Sequence, residues 1–351
     1  MGSDAYAHSP IIFLLAFLPS VLLCRIVITL RIVDSPTEAR KKQPMPVPTA
    51  GGLAVALSAM LAVATHVELH GGREYAYPIV VAAGGGLAML LLGLADDILS
   101  LRAIVKLNLT TLVAVGIAVL GLRADTMGFW PDAVVALPLV VAVAGSALWL
   151  VVVINAVNFM DGANGLAMGM ACIAALGLAA CGAVIGAEHI TLAGVALAGG
   201  LVGFLVWNVR GLLFVGDAGA LFTGAVLAGL GLELVRLRPD LLFVPAILLL
   251  PFLSDVLLTL AWRGKHGKPL FVAHLDHAYQ IALKAKLTHI QVAGVHAVWA
   301  LNAAVVAVGA ALVGGYAPVI AFVALLAIST WVHWKVRRAG VANGLVGADI
   351  L

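Results

Sequence analysis

The sequence predicts an all-α integral membrane protein with about 11 transmembrane helices, its N-terminus periplasmic and its C-terminus cytoplasmic. Three observations carry that prediction. Of 351 residues, 63% are hydrophobic and 11% charged, with a mean hydropathy of +1.12. A soluble domain is about 45–50% apolar and about 25% charged. Apolar windows of about 18 residues or more, enough to cross a hydrocarbon core roughly 30 Å thick, recur along the whole chain. Lys and Arg are also unevenly divided between alternate loops. A soluble enzyme, a disordered chain and a secreted disulfide scaffold are thereby excluded. Net charge is +3, from 20 Lys and Arg against 17 Asp and Glu, too small to point to nucleic acid. Cys24, Cys172 and Cys181 lie in apolar runs and read as buried small residues, not a disulfide framework or a zinc site.

The windows follow in order. Residues 10–30 have no basic segment before them and no small-residue cleavage site after them, so they read as a retained span. The second window, 49–66, is entered through Pro46, Pro48, Gly51 and Gly52. The third, 77–95, runs into Asp96-Asp97, and the fourth, 104–122, begins beside Arg102 and Lys106. The fifth, 134–154, ends in Asn155, Asn158 and Asp161, and the sixth, 166–185, starts after Gly162 and Gly165. Windows 190–207, 219–235 and 240–261 follow, the eighth preceded by Gly216-Asp217 and the ninth containing Asp255. A long loop with His274 and His277 leads to 290–313 and 316–334. Fifteen of the 20 Lys and Arg fall on one set of loops, four on the other, and Arg25 lies within the first window. The richer side is read as cytoplasmic. The chain is therefore a single polytopic domain, 1–351, whose loops 31–48, 96–104, 155–165, 208–218 and 262–289 share one face.

Polar residues collect on that face. Asp96-Asp97 reads either as a solvated turn or as hard oxygen ligands suited to Mg²⁺, which keeps several waters. Asn155, Asn158 and Asp161 recur every third residue, so they share a stripe roughly 120° wide on one helix. Gly162 and Gly165 mark close backbone approach, and Gly216-Asp217-Ala218-Gly219 places glycine at a helix start, which favours phosphate. An acid inside a span, such as Asp255, costs about 2.5–3.5 kcal/mol; it serves either a helix terminus or catalysis. His274 and His277 stand three apart and suit phosphate contact better than a metal. Lys41, Lys42, Lys106 and Arg263 are candidate cations for an anionic substrate. The segment Pro46–Gly52, with Thr49 at its centre, either punctuates a loop or holds a diphosphate. His66, His70 and His189 fall toward the other face and receive no role.

In order, these motifs resemble the polyprenyl-phosphate N-acetylhexosamine-1-phosphate transferases. The matching pieces are Pro48-Thr49-x-Gly51-Gly52, Gly93-Leu94-Ala95-Asp96-Asp97, Asn155-x-x-Asn158-Phe159-Met160-Asp161-Gly162-x-Asn164-Gly165, Phe204-x-x-x-Asn208, Phe214-Val215-Gly216-Asp217-x-Gly219 and the histidine loop. The resemblance covers residues 46–280. It implies a Mg²⁺-dependent enzyme that passes a sugar-1-phosphate from a UDP-N-acetylamino sugar to undecaprenyl phosphate in the bacterial inner membrane, at the cytoplasmic face, releasing UMP. By the same resemblance Asp96 and Asp97 act on the lipid phosphate or assist the metal, and Asp217 binds the metal. Asn155, Asn158 and Asp161 belong to the helix that holds nucleotide or metal, and Phe214 stacks near the uracil. Asn164 and Asn208 join the substrate site, and His274 and His277 contact diphosphate and sugar. The expected metal ligands are Asp217 and Asn155, and the partners are the nucleotide sugar, the lipid phosphate and membrane lipid, with a homodimer as the oligomer considered.

Three departures stand out. Asn164 replaces a second acidic residue, Asp276 interrupts the usual run of histidines, and Ala220 replaces a serine. The forms Asn-Phe-Met-Asp-Gly-x-Asn-Gly and His-x-x-His-Ala-Tyr-Gln look most like the branch that begins O-antigen synthesis. The competing class is a secondary transporter, whose acids lie near the midplane between repeated halves. Here the acids crowd one face and no repeat is visible. An intramembrane prenyltransferase would need two Asp-x-x-x-Asp motifs where this chain has one adjacent pair and single aspartates.

Overall fold

The computed structural model describes residues 4–30, 47–70, 76–130, 133–270, 272 and 274–345. With no water in a bilayer core, each spanning segment must satisfy its own backbone polar groups, and helices do so. The helices are α1 (Asp4–Leu30), α2 (Gly51–His70), α3 (Ala76–Leu99), α4 (Ala103–Val119), α5 (Leu139–Phe159), α6 (Leu166–Ile185), α7 (Glu188–Asn208) and α8 (Gly216–Leu237). They continue with α9 (Val244–Leu248), α10 (Leu250–Lys265), α11 (Ala278–Lys284), α12 (His289–Val313) and α13 (Ala317–Ala342). Among the described residues, nine are long and apolar enough to cross a membrane. The bent pair Pro239–Leu248 and Leu250–Lys265 makes a tenth, and α4 is apolar but only 17 residues long. The all-α multi-pass architecture is as expected, and each of the eleven windows carries helix.

α8 is the axis of the bundle. Buried residues make up 94% of its most apolar stretch, against 28% in α1 and 17% in α13. Its small residues let neighbours come close, the usual basis of helix association in lipid. A Cβ on Gly52 of α2 would collide with the Cα of Gly219, so the α2–α8 crossing exists only because glycine stands at both positions. α3 and α5 also pack on α8, while α1, α6 and α12 are layered outward through α7 and α6. Leucine and isoleucine side chains exposed along α1, such as Leu18, Leu22 and Ile26, face hydrocarbon in this arrangement. The three cysteines are free and buried, as their apolar settings predict.

Three boundaries differ from the sequence reading. Residues 134–136 do not start the fifth span. They form a strand, β2 (Val134–Ala136), antiparallel to β1 (Thr126–Gly128), with Thr126 opposite Ala136. Pro138 then caps α5 with extended backbone, which delays the helix. The ninth span is not continuous either, because α9 and α10 meet at a 76° bend. Pro251 sits in the first turn of α10 and has no N–H to carry a ladder across the junction. Finally, α13 continues to Ala342, so Lys335, Arg337 and Arg338 lie on helix instead of in a tail.

Candidate active site

The C-terminal ends of α3 and α5 and the N-terminal ends of α4 and α8 meet at one end of the bundle. Residues 48–52 run beside 214–215: Phe214 N–H donates to the Pro48 carbonyl at 2.8 Å, and the amides of Gly51 and Gly52 donate to the carbonyls of Phe214 and Val215 at 3.0 and 2.8 Å. This ladder sets the approach to α8. Gly216 then turns with φ of +71°, a left-handed conformation that glycine adopts without strain. A Cβ there would also meet the Thr49 carbonyl and the carboxylate of Asp97.

Asp97 reaches from the end of α3 to the start of α8. One carboxylate oxygen accepts from Asp217 N–H at 2.9 Å and the other from Ala218 N–H at 3.1 Å. A helix N-terminus leaves such amides without intrahelical partners and favours an anion beside them. Asp97 thus caps a helix that is not its own, and in doing so aims Asp217. Asp96 turns the other way. One oxygen accepts from Leu101 N–H at 2.8 Å and the other pairs with Lys106 Nζ at 2.7 Å. Lys106 also pairs with Asp217 at 2.9 Å and donates to the Asn158 amide oxygen at 3.3 Å. The Asn158 amide nitrogen donates to the second oxygen of Asp217. Asp96, Lys106, Asn158 and Asp217 therefore form one connected polar cluster, with Asp97 behind it.

Asp161 completes the acidic group. It lies just past α5 and outside the spans, and its carboxyl is pushed up to about 7 by burial first, then by the negative charges of Asp217 and Asp97. Such repulsion is what a cation relieves. Among the described residues no three acidic, histidine or cysteine side chains close a complete metal cage.

A second cluster surrounds the histidine loop. Asp255 of α10 accepts from Ala278 and Tyr279 N–H at 2.9 and 3.1 Å, so it caps α11. His277 Nδ1 lies 3.3 Å from the same carboxylate. The rings of His274 and His277 are 4.9 Å apart. Burial and neighbouring positive charge hold His274 down at about 4, so it is a neutral imidazole at pH 7. The two clusters meet at Tyr279, whose hydroxyl donates to the Phe159 carbonyl at 3.2 Å, at the end of α5. Burial, with the charges of Asp255 and Asp161, raises the Tyr279 hydroxyl well above the usual range.

Several expected residues lie outside this hydrogen-bonded cluster. Asn155 donates its amide nitrogen back to the Val151 carbonyl at 2.8 Å. Asn164 meets His289 through its backbone N–H, which donates to His289 Nδ1 at 3.2 Å. Asn208 is buried and braces two loops, accepting from Gly165 N–H at 2.7 Å and donating to the Leu213 carbonyl at 2.9 Å. Phe214 is half-buried beside the 48–52 segment, where the Thr49 carbonyl lies against Gly216. Lys41 and Lys42 lie outside the described residues. Arg263 is spent on Asp276 and on the Pro269 carbonyl. Sequence reasoning met Tyr279 only as part of the His-x-x-His-Ala-Tyr-Gln form and gave it no role, and it passed over Arg337, since one arginine among several at a helix end carries no distinguishing signal.

Comparison with known proteins supplies the family. A model described as glycosyl transferase family 4 matches residues 78–235. The chain is 28% identical over 276 residues to a probable undecaprenyl-phosphate N-acetylglucosaminyl 1-phosphate transferase of Bacillus subtilis, covering 76% of this chain and 73% of that protein. A decaprenyl-phosphate N-acetylglucosaminephosphotransferase of Mycolicibacterium smegmatis is 30% identical over 270 residues, covering 66% and 64%. A phospho-N-acetylmuramoyl-pentapeptide-transferase of Desulforudis audaxviator is 30% identical over 276 residues, covering 71% of this chain and 80% of the relative. With that coverage, and with the acidic cluster lying within and beside the matched segment, the chain belongs to the glycosyl transferase family 4 group of membrane-bound polyprenyl-phosphate sugar-1-phosphate transferases.

Proposed function

We propose that the protein transfers an N-acetylamino-sugar 1-phosphate from a UDP-sugar to undecaprenyl phosphate, the first membrane step of an envelope polysaccharide such as O-antigen. The observation that carries the reading is the Asp96–Lys106–Asp217–Asn158 cluster at the α8 N-terminus, in a chain whose relatives are named for this transfer. An oxygen of the lipid phosphate attacks the sugar-bearing phosphorus. The bond between that phosphorus and the bridging oxygen of UMP breaks, and UMP leaves. A phosphate monoester has a second pKa near 6, so at pH 7 the nucleophile is largely deprotonated already. The residues around it then have mainly to orient it and lower the repulsion between two anions.

Lys106, held between Asp96 and Asp217, is the cation nearest that task. Asp217 and Asp161 would hold Mg²⁺, and the repulsion that raises Asp161 fits a cation there. When bound, the ion supplies charge neutralisation for the diphosphate and the leaving UMP. Asp97 positions Asp217 through the first turn of α8. His274, as a neutral donor, and His277 face the diphosphate, and Phe214 and Asn164 flank the nucleotide. An apolar cavity of about 500 Å³ between α5, α8 and the bent α9–α10 pair, lined by Trp149, Leu253 and Leu257 among others, suits the lipid chain. The excess of Lys and Arg on the site's side supports a cytoplasmic active face in the bacterial inner membrane.

A double label tests the reaction. With UDP-N-acetylglucosamine, N-acetylfucosamine or N-acetylquinovosamine carrying labels on the uridine and on the sugar-bearing phosphorus, the phosphorus label moves into organic-extractable lipid while uridine stays in water as UMP. Release of UDP in place of UMP, with no phosphorus label in the lipid, contradicts the proposal.

A further inference from the structure

The last helix reaches into the histidine loop through one residue. Arg337 of α13 is buried, whereas its neighbours Lys335 and Arg338 are exposed and lie against Trp334. Burial of a guanidinium costs several kcal/mol unless its donors are met; here three acceptors meet Nε and Nη2, while Nη1 is buried without a hydrogen-bond partner among the described residues. Nε donates to His333 Nε2 at 2.7 Å, and Nη2 donates to the Thr259 hydroxyl and to the backbone carbonyl of Asp276, both at 2.8 Å. The guanidinium also stacks over Trp262, 4.6 Å from the ring centre. Thr259 in turn donates to Asp255 at 3.2 Å, the carboxylate that receives His277 and the first amides of α11. The side chain of Asp276 is gripped separately by Arg263.

We propose that Arg337 is a positioning residue for the transfer: from α13 it sets the placement of His274 and His277, directly through the Asp276 carbonyl and indirectly through Thr259 and Asp255. The inference rests on the functional reading above. Its physical basis is that α11 has seven residues, too few to hold a helix unaided. The loop's shape is therefore imposed by the groups that bind its backbone, and Arg337 is the one supplied by the final helix. A lysine puts one ammonium where a planar fork now serves three acceptors at fixed angles, so it cannot replace the arginine.

The test uses Arg337→Lys and Arg337→Met in the full-length protein in detergent, with Thr259→Val as a variant that breaks the relay without removing charge. Hydrogen exchange at the amides of Ala278 and Tyr279 is expected to accelerate at least tenfold in all three, with amides of Asp217 and Ala218 unchanged. UMP release is expected to lose about 10²-fold in kcat/KM, the scale of a 1 Å misplacement. In a His274→Ala background, Arg337→Lys is expected to cost less than threefold further, because both changes act through one loop. Unchanged exchange at Ala278 and Tyr279, or full multiplication of the two kinetic losses, overturns the proposal. If wild-type protein releases no UMP, the functional reading fails, and the exchange measurement still decides the clamp by itself.

Discussion

Asp217 is the residue on which the site converges: Lys106 and Asn158 hold its two oxygens, and Asp97 holds the backbone beneath it. Asp217→Asn keeps the shape and removes the charge, so it is expected to lower UMP release by at least 10³-fold while the protein still elutes as a folded species. Retained activity above a tenth would end its proposed metal role. Asp161 gives a pH-dependent signature. Its carboxyl sits at about 7 in the metal-free fold, against an ordinary value of 3.8. Between those values the folded state holds a proton that the unfolded state has released, so stability falls as pH rises through this window. Below it both states are protonated and the cost is absent. Asp161→Asn is therefore expected to raise the thermal midpoint of metal-free protein more at pH 8 than at pH 4, and Mg²⁺ is expected to erase that gain. An equal gain at both pH values would contradict the assignment.

At the scale of elements, close approach and helix breaks make the site. Gly52→Val places a branched side chain against the Gly219 backbone. Overpacking of this kind costs roughly 1–3 kcal/mol, and here it also moves the start of α8, so activity is expected to fall together with the melting temperature. The cavity beside α5 allows a cleaner test. Gly145 lines it, and a Cβ there meets nothing within 4 Å. Gly145→Phe is expected to raise KM for undecaprenyl phosphate about tenfold and to leave KM for the UDP-sugar unchanged; equal effects on both substrates would remove the lipid from this cavity. Hydropathy made these helices legible because long apolar runs have few other solutions in a membrane. It missed the 76° break at Leu249, since Pro251 inside an apolar window changes hydrogen bonding without changing hydropathy. It also missed the β1–β2 ribbon, whose Val134 and Val135 are as apolar as the span that follows.

For the whole molecule, residue order along the chain and parity of the spans were enough to bring Asp96, Asp97, Asn158, Asp161 and Asp217 to one end. Sequence did not show the division of labour between them, because only side-chain direction tells that Asp97 faces backbone while Asp96 faces Lys106. It did not reveal Arg337 either, whose three partners lie 78, 61 and four positions away. Motifs thus named the acids, and tertiary contacts assigned them work. Phosphosugar transfer at this cluster requires lipid-dependent release of UMP, and that release is the decisive measurement. Purified protein with Mg²⁺, undecaprenyl phosphate and each UDP-N-acetylamino sugar in turn is expected to release UMP from at least one donor. That release should require the lipid and disappear in Asp217→Asn. No UMP from any donor, or release at the same rate from Asp217→Asn, would contradict the account.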